Sequence, residues 1–292
     1  MRAPFVRLLA LPLLTILAAS GESQVAGPAA APAPKAPAPK AAAAAPAAPK
    51  AFEYEASASQ YRFTASTKIS QSMMGQSQDM ETSSMRLVSI TVARAAADTL
   101  SLSIVLDSVS VVGPMGMSPP GMEKLAGAKF AAKVSPAGAF YSASGPSETE
   151  LPQAAAMTDE MGRALPRIKA TLASGAAWTD TVVDKPKQAG LQLDRQVISR
   201  FTVVGDSTVS GEAAWKIMRE STTTASGTGT IQGAPAVLET SGAGKGMVLI
   251  SKRSVLLGGE SEEISNVKVT MTANAMEIGI KSTTTTKVLK VK

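Results

Sequence analysis

From Phe52 onward apolar and polar residues alternate with a period close to two. Tyr61, Phe63, Ala65 and Ile69 alternate with Arg62, Thr64, Ser66 and Lys68, which gives a β-strand one apolar and one wet face. After a turn near Met74-Gly75-Gln76 the pattern resumes at Val88, Ile90 and Val92, and again at Leu100, Leu102, Ile104 and Leu106. These segments predict an antiparallel meander with one buried face. Phe130 to Val134 and Ala139 to Ser144 flank Ser135-Pro136-Ala137-Gly138, whose proline and glycine suit a hairpin turn.

The period changes once. Met157, Met161, Leu165, Ile168 and Leu172 fall on one helical stripe between Pro152 and Gly175. Gly162 and Pro166 interrupt it, so one kinked helix or a helix pair is expected at about 152–174. Strands are predicted at Trp178 to Val183, Val197 to Val204 and Ala213 to Thr224. Gly227 to Gly246 reads as a glycine-rich turn region with a short strand at Ala236 to Thr240. Three long strands are expected around Met247 to Leu257, Ile264 to Ala273 and Ala275 to Val291. The pair divided by Gly258-Gly259-Glu260 resembles the early pair divided by Gly75-Gln76, which suggests a weak duplication about the central helix. The fold class expected is mainly β with minor α: long curved antiparallel sheets over 51–292, in one domain or in two lobes at about 51–150 and 176–292.

The first 50 residues read differently. Arg2 and Arg7 precede an apolar stretch from Leu8 to Ala19, followed by small residues at Ser20 and Gly21, the layout of a secretory signal peptide over 1–20. About a dozen apolar residues are too few to span a bilayer, so no transmembrane helix is expected in the mature chain. Leu17-Ala18-Ala19-Ser20 resembles a lipobox, but a serine hydroxyl cannot form the lipid thioether. Residues 21–50 are expected to be a disordered spacer: the 28–50 stretch holds only Pro, Ala and Lys, a composition that favours extended polyproline-II conformations.

Composition then narrows the chemistry. With no cysteine and no histidine among 292 residues, there is no thiol nucleophile, no Ser-His-Asp relay, no Cys/His zinc site and no disulfide. The chain carries 29 basic and 23 acidic side chains. Five of the former and one of the latter lie before residue 51, so 51–292 holds 24 and 22. That near balance, without a basic cluster around aromatics, leaves no nucleic-acid footprint.

The remaining motifs are weak. Gly227-Thr228-Gly229 opens no helix, Gly244-Lys245-Gly246 lacks the Ser/Thr of a phosphate loop, and Ser265-Asn266-Val267-Lys268 sits in a predicted strand, where its ends face opposite sides. Glu260, Glu262 and Glu263, and Glu148 with Glu150, are near enough in sequence to suggest paired carboxylates, but acids at strand turns are ordinarily solvated. Met73-Met74 and Met115, Met117 and Met122 offer soft sulfur of the kind that suits Cu(I), yet no His or Cys accompanies them, so no metal or cofactor is expected. Met115, Met117 and Met122 lie in an apolar loop, Gly113 to Met122, and are candidates for a hydrophobic gate over a groove.

The opening strand Tyr61–Thr67, the Phe130–Phe140 hairpin, the Gly175–Thr181 segment around Trp178 and the closing strands resemble secreted bacterial β-rich proteins of unknown function. More loosely they resemble LolA/LppX-type lipoprotein and lipid carriers of the envelope. That resemblance implies a half-barrel sheet lidded by helices, able to shelter acyl chains. The expectation is an exported, spacer-tethered, non-enzymatic envelope protein, periplasmic or extracellular, with a binding or structural role and a lipid or envelope protein as partner. The alternatives are a carrier holding a hydrophobic ligand between sheet and helix, and a carboxylate-based hydrolase.

Overall fold

The computed structural model describes residues 51–73, 76–147, 149–185, 187–188, 191–231, 234–271 and 276–292. The expected signal peptide and spacer, together with Met74, Gly75 and Glu148, lie outside the described residues. The chain is mainly β. Strands β1 (Ser57–Met73), β2 (Gln76–Ala96), β3 (Thr99–Val112), β4 (Lys129–Val134) and β5 (Phe140–Ser144) precede helix α1 (Pro152–Gly162). After it come β6 (Ala177–Asp184), the short β7 (Lys187–Gln188), β8 (Leu191–Val209), β9 (Glu212–Ile231), β10 (Ala234–Ser251), β11 (Leu256–Met271) and β12 (Met276–Lys290).

All strands join one antiparallel sheet in the order β5-β4-β3-β2-β1-β12-β11-β10-β9-β8-β6, with β7 paired to β8. The first and last long strands meet in the middle, in register from Tyr61 opposite Lys290 to Met73 opposite Ile278. Each half therefore grows outward as a meander, and the sheet edges β5 and β6 are the strands that flank α1 in sequence.

The sheet must curl. One apolar cluster contains Phe130 of β4, Phe201 of β8, and Met157 and Met161 of α1. Laid flat, the eight strand spacings from β4 to β8 would cover roughly 38 Å. The 11 residues of α1 measure only about 16 Å. Both halves join this one cluster because the sheet wraps around α1 and the chain that follows it, with register shifts at Leu87/Val88, Val203/Gly205 and Leu249/Ile250 adding local twist. Tyr54 Oη donates to the carbonyl of Pro166 at 2.7 Å, and Arg86 of β2 meets Glu160 of α1 at 2.8 Å, so polar ties also hold the cover segment in place.

Three expectations are corrected. The helix spans 152–162 only. Proline 166 has no N–H to donate and its ring would clash with the carbonyl four residues back, so the helix ends at Gly162 and the apolar stripe continues as irregular chain. Leu165 and Ile168 are still buried, at 4% and 2% exposure. Gly227 to Gly246 is not a turn region: β9 runs through it to Ile231 and β10 resumes at Ala234. Gly258-Gly259-Glu260 likewise lies inside β11, and the turn falls earlier, at 252–255. The proposed likeness to the Gly75-Gln76 turn therefore has no structural counterpart.

Candidate functional site

Strand alternation and cross-strand register together decide which residues share the concave face. Around α1 this face carries Tyr61, Val88, Ile90, Leu102, Ile104, Ile217 and their neighbours, all buried. At the far end it carries a second apolar cluster built from Leu191, Leu193, Ala225, Ala236, Leu238 and Val269. Between the two clusters the same face turns polar. On β8 the sequence of inward residues runs Leu193, Arg195, Val197, Ser199, Phe201. On β9 it runs Ala225, Thr223, Ser221, Arg219, Ile217. On β12 it runs Ile280, Ser282, Thr284, Thr286, Val288. Ser199, Ser221, Ser282, Thr284 and Thr286 are each below 9% exposed, and Thr67 Oγ1 lies 3.0 Å from Thr284 Oγ1. A polar belt thus crosses the concave face from β6 to β2.

Charges sit within this belt. Asp180 of β6 is fully buried and its Oδ1 meets Lys169 Nζ at 2.7 Å and Arg167 Nη1 at 3.3 Å, both cations coming from the irregular chain after α1. Arg195 of β8 pairs with Asp184 of β6 at 2.5 Å. Arg219 of β9 is only 12% exposed; its Nε donates to Ser199 Oγ at 3.4 Å and its Nη1 stands 3.6 Å from Glu263 of β11. Burial pushes the Glu263 carboxyl up from its ordinary range, and the same burial pulls the Arg219 guanidinium down, each offset in part by the other.

Gly244 lets Glu263 lie across β10 toward Arg219. A Cβ there would stand 2.6 Å from Ser221 Oγ and 3.0 Å from Glu263 Cγ, closing the space between the two strands. Trp178 stacks on Phe201 with ring centroids 5.0 Å apart beside this cluster. Three buried polar atoms of the belt have no hydrogen-bond partner among the described residues: Trp178 Nε1, Asp180 Oδ2 and Arg219 Nη2. Leaving such atoms dry costs about 1–3 kcal/mol each, so a belt of this kind calls for water or a ligand.

The raised Glu263 gives a pH signature. The native chain keeps a proton that the unfolded chain releases near its ordinary pKa of 4.5. The group's contribution is therefore most favourable in acid and declines as pH rises from that value through the folded pKa. Urea unfolding of wild type and Glu263→Gln from about pH 4 to 8 is expected to show this decline in the difference between them, with the glutamine variant flatter. Parallel curves would place Glu263 in solvent.

The candidate gate residues have different settings in the structure. Met115 falls in a single 3-10 turn, Pro114–Gly116, Met117 is 60% exposed, and Met122 begins a second turn and packs against the apolar cluster around α1. None is among the belt residues. Among the candidate acids, Glu260 and Glu262 pair across to outward positions, whereas Glu263 points inward. Glu150 is an exposed loop residue bonded to Ser147. Sequence reasoning missed Arg219, Asp180 and Arg195. The available signal was a charge at an inward position of an otherwise alternating strand.

No protein-family model matches the chain, and no curated protein matches it. Among solved structures, a DUF1329 family protein from Desulfovibrio piger overlaps 77% of this chain and 84% of its own, at 10% identity and a TM-score of 0.17. Pseudomonas aeruginosa OccK2 (OpdF) overlaps 80% of this chain and 98% of its own, at 7% identity and a TM-score of 0.22. At TM-scores this low, fold and function rest on the chain's own geometry. No helix among the described residues is long and apolar enough to cross a membrane.

Proposed function

We propose that this is an exported, non-enzymatic binding protein of the cell envelope that holds a small amphiphile against its concave face. The observation that carries the reading is the belt itself. A wall of hydroxyls and buried ion pairs lies between two apolar clusters on a single surface, with three buried polar atoms unpartnered among the described residues. A core that served stability alone would be apolar at these positions, because buried polar groups gain little unless fully satisfied. An amphiphile presents both kinds of surface, apolar carbon for the clusters and polar atoms for the belt. The signal-like leader and the Pro/Ala/Lys stretch support an exported, tethered protein.

A structural role is the second reading. It is favoured by the tight fill just after α1, where the pocket bordered by Ala164, Pro166 and the sheet measures about 80 Å³. Native mass spectrometry of gently purified protein, run beside organic extraction, separates the two. The amphiphile reading expects co-purifying mass lost on denaturation, and quenching or shift of Trp178 emission on refilling. Trp215→Phe makes Trp178 the sole tryptophan reporter; Trp215 sits apart from the belt, under Lys252. A chain that carries nothing and takes up no added amphiphile would leave the structural role.

A further inference from the structure

The 80 Å³ pocket has an unusual floor. Register places Arg219, Gly246, Ser261 and Thr286 in one row across β9, β10, β11 and β12. Gly246 contributes no side chain, so β10 places none between Arg219 and the two hydroxyl-bearing residues of the row. A Cβ at Gly246 would lie 2.8 Å from Ser261 Cβ and would also meet the Glu260 carbonyl. Phe63 and Val288 supply apolar wall, and Pro166 of the cover segment borders the pocket.

Arg219 lines this pocket under-satisfied. Charge-assisted hydrogen bonds to a guanidinium are ordinarily about 2.7–2.9 Å long. Arg219 has a 3.4 Å contact to a neutral serine, a carboxylate at 3.6 Å, and Nη2 with no partner among the described residues. Such a guanidinium, largely removed from water, favours a planar or tetrahedral oxyanion. We propose that Arg219, with Ser261 and Thr286 across the bare floor of Gly246, forms a site for one oxyanion, the carboxylate or phosphate of the ligand. Glu263 is its internal competitor: it holds the guanidinium loosely while the site is empty and yields it to a better-placed anion. A pocket of this volume admits several waters or one small oxyanion. A longer molecule would leave its apolar part outside the row, along the concave face.

This inference rests on the amphiphile reading but fails separately from it. Calorimetric titration of the full chain with decanoate, decanol and inorganic phosphate is the test. Decanoate is expected to bind at least about tenfold more tightly than decanol, an effect of the size charge-assisted hydrogen bonds supply. Arg219→Met removes that preference, whereas Glu263→Gln, compared at alkaline pH where Glu263 is a carboxylate, strengthens decanoate binding by about tenfold because the competing charge is gone. The second variant keeps the test decisive should the first fail to fold. Phosphate bound as tightly as decanoate, and lost in Arg219→Met, would support the site and identify a free anion as its ligand. Decanol bound as well as decanoate, with Glu263→Gln unchanged, would overturn the oxyanion site and leave amphiphile binding intact. No binding of any of the three would overturn both.

Discussion

Asp180→Ala is expected to lower the unfolding free energy by about 3 kcal/mol at neutral pH, one of the largest losses a single substitution can cause in this chain. Asp180 is fully buried and its Oδ1 is shared by Arg167 and Lys169, so the substitution takes the carboxylate from two cations at once. Breaking one side of a buried ion pair costs about 3–5 kcal/mol; the lower figure applies because Lys169 is 26% exposed and partly solvated. The loss has a structural consequence as well. Arg167 and Lys169 lie in the irregular chain that covers the concave face, and Asp180 anchors that chain to the edge strand β6. Urea unfolding should show the loss as a lower midpoint, with Asp180→Asn losing less because it retains an acceptor. An unfolding free energy within about 0.5 kcal/mol of wild type would mean that the belt is wet and that its charges are solvated.

Gly258→Val is expected to cost at least about 3 kcal/mol, by backbone strain rather than by loss of contact. Gly258 has φ +151, a conformation closed to β-branched residues, where the β10–β11 register shifts. A Cβ there would also run into the Val288 carbonyl oxygen of β12, a backbone atom that cannot swing aside. Gly279→Ala is the matching control. Its Cβ would meet only Ser72 Oγ, the end of a flexible side chain, at 2.8 Å, so a loss below about 1 kcal/mol is expected. Thermal unfolding of the two variants beside wild type checks both. Equal losses would mean that the shift at Leu249/Ile250 is not what bends the sheet.

Much of the strand content was legible because alternation is local. Tyr61, Phe63, Val88, Ile90, Leu102 and Ile104 all fall on the face their period assigned them. The same logic misled where residues were small. Glycines at 227, 229, 242, 244 and 246 read as turns, since glycine in isolation favours bends and weakens strands. In the sheet they are inward positions where a Cβ would collide with Leu193, Leu191, Ser221 or the neighbouring backbone, so their smallness serves close approach. The helix was legible in place but not in length. Its stripe of apolar residues is real, and Leu165 and Ile168 are buried as the stripe requires, yet burial does not need helical backbone once Pro166 forbids it.

The candidate site shows the division more sharply. From the sequence alone came the absence of histidine and cysteine, the exclusion of the chemistries that need them, and the inward or outward sense of residues where apolar and polar positions visibly alternate. Those are properties of composition and of a two-residue period, and no distant contact can change them. Only the tertiary structure decided that Glu263 faces inward and half-buried toward Arg219 while Glu260 and Glu262 face outward, that Asp180 meets cations from beyond α1, and that Arg219 shares a row with Gly246, Ser261 and Thr286. Each depends on register between strands and on the curl that brings both halves to one apolar cluster. Register is set by turns and shifts summed over many residues, so it is invisible in any single segment, and the belt exists only once those segments are aligned.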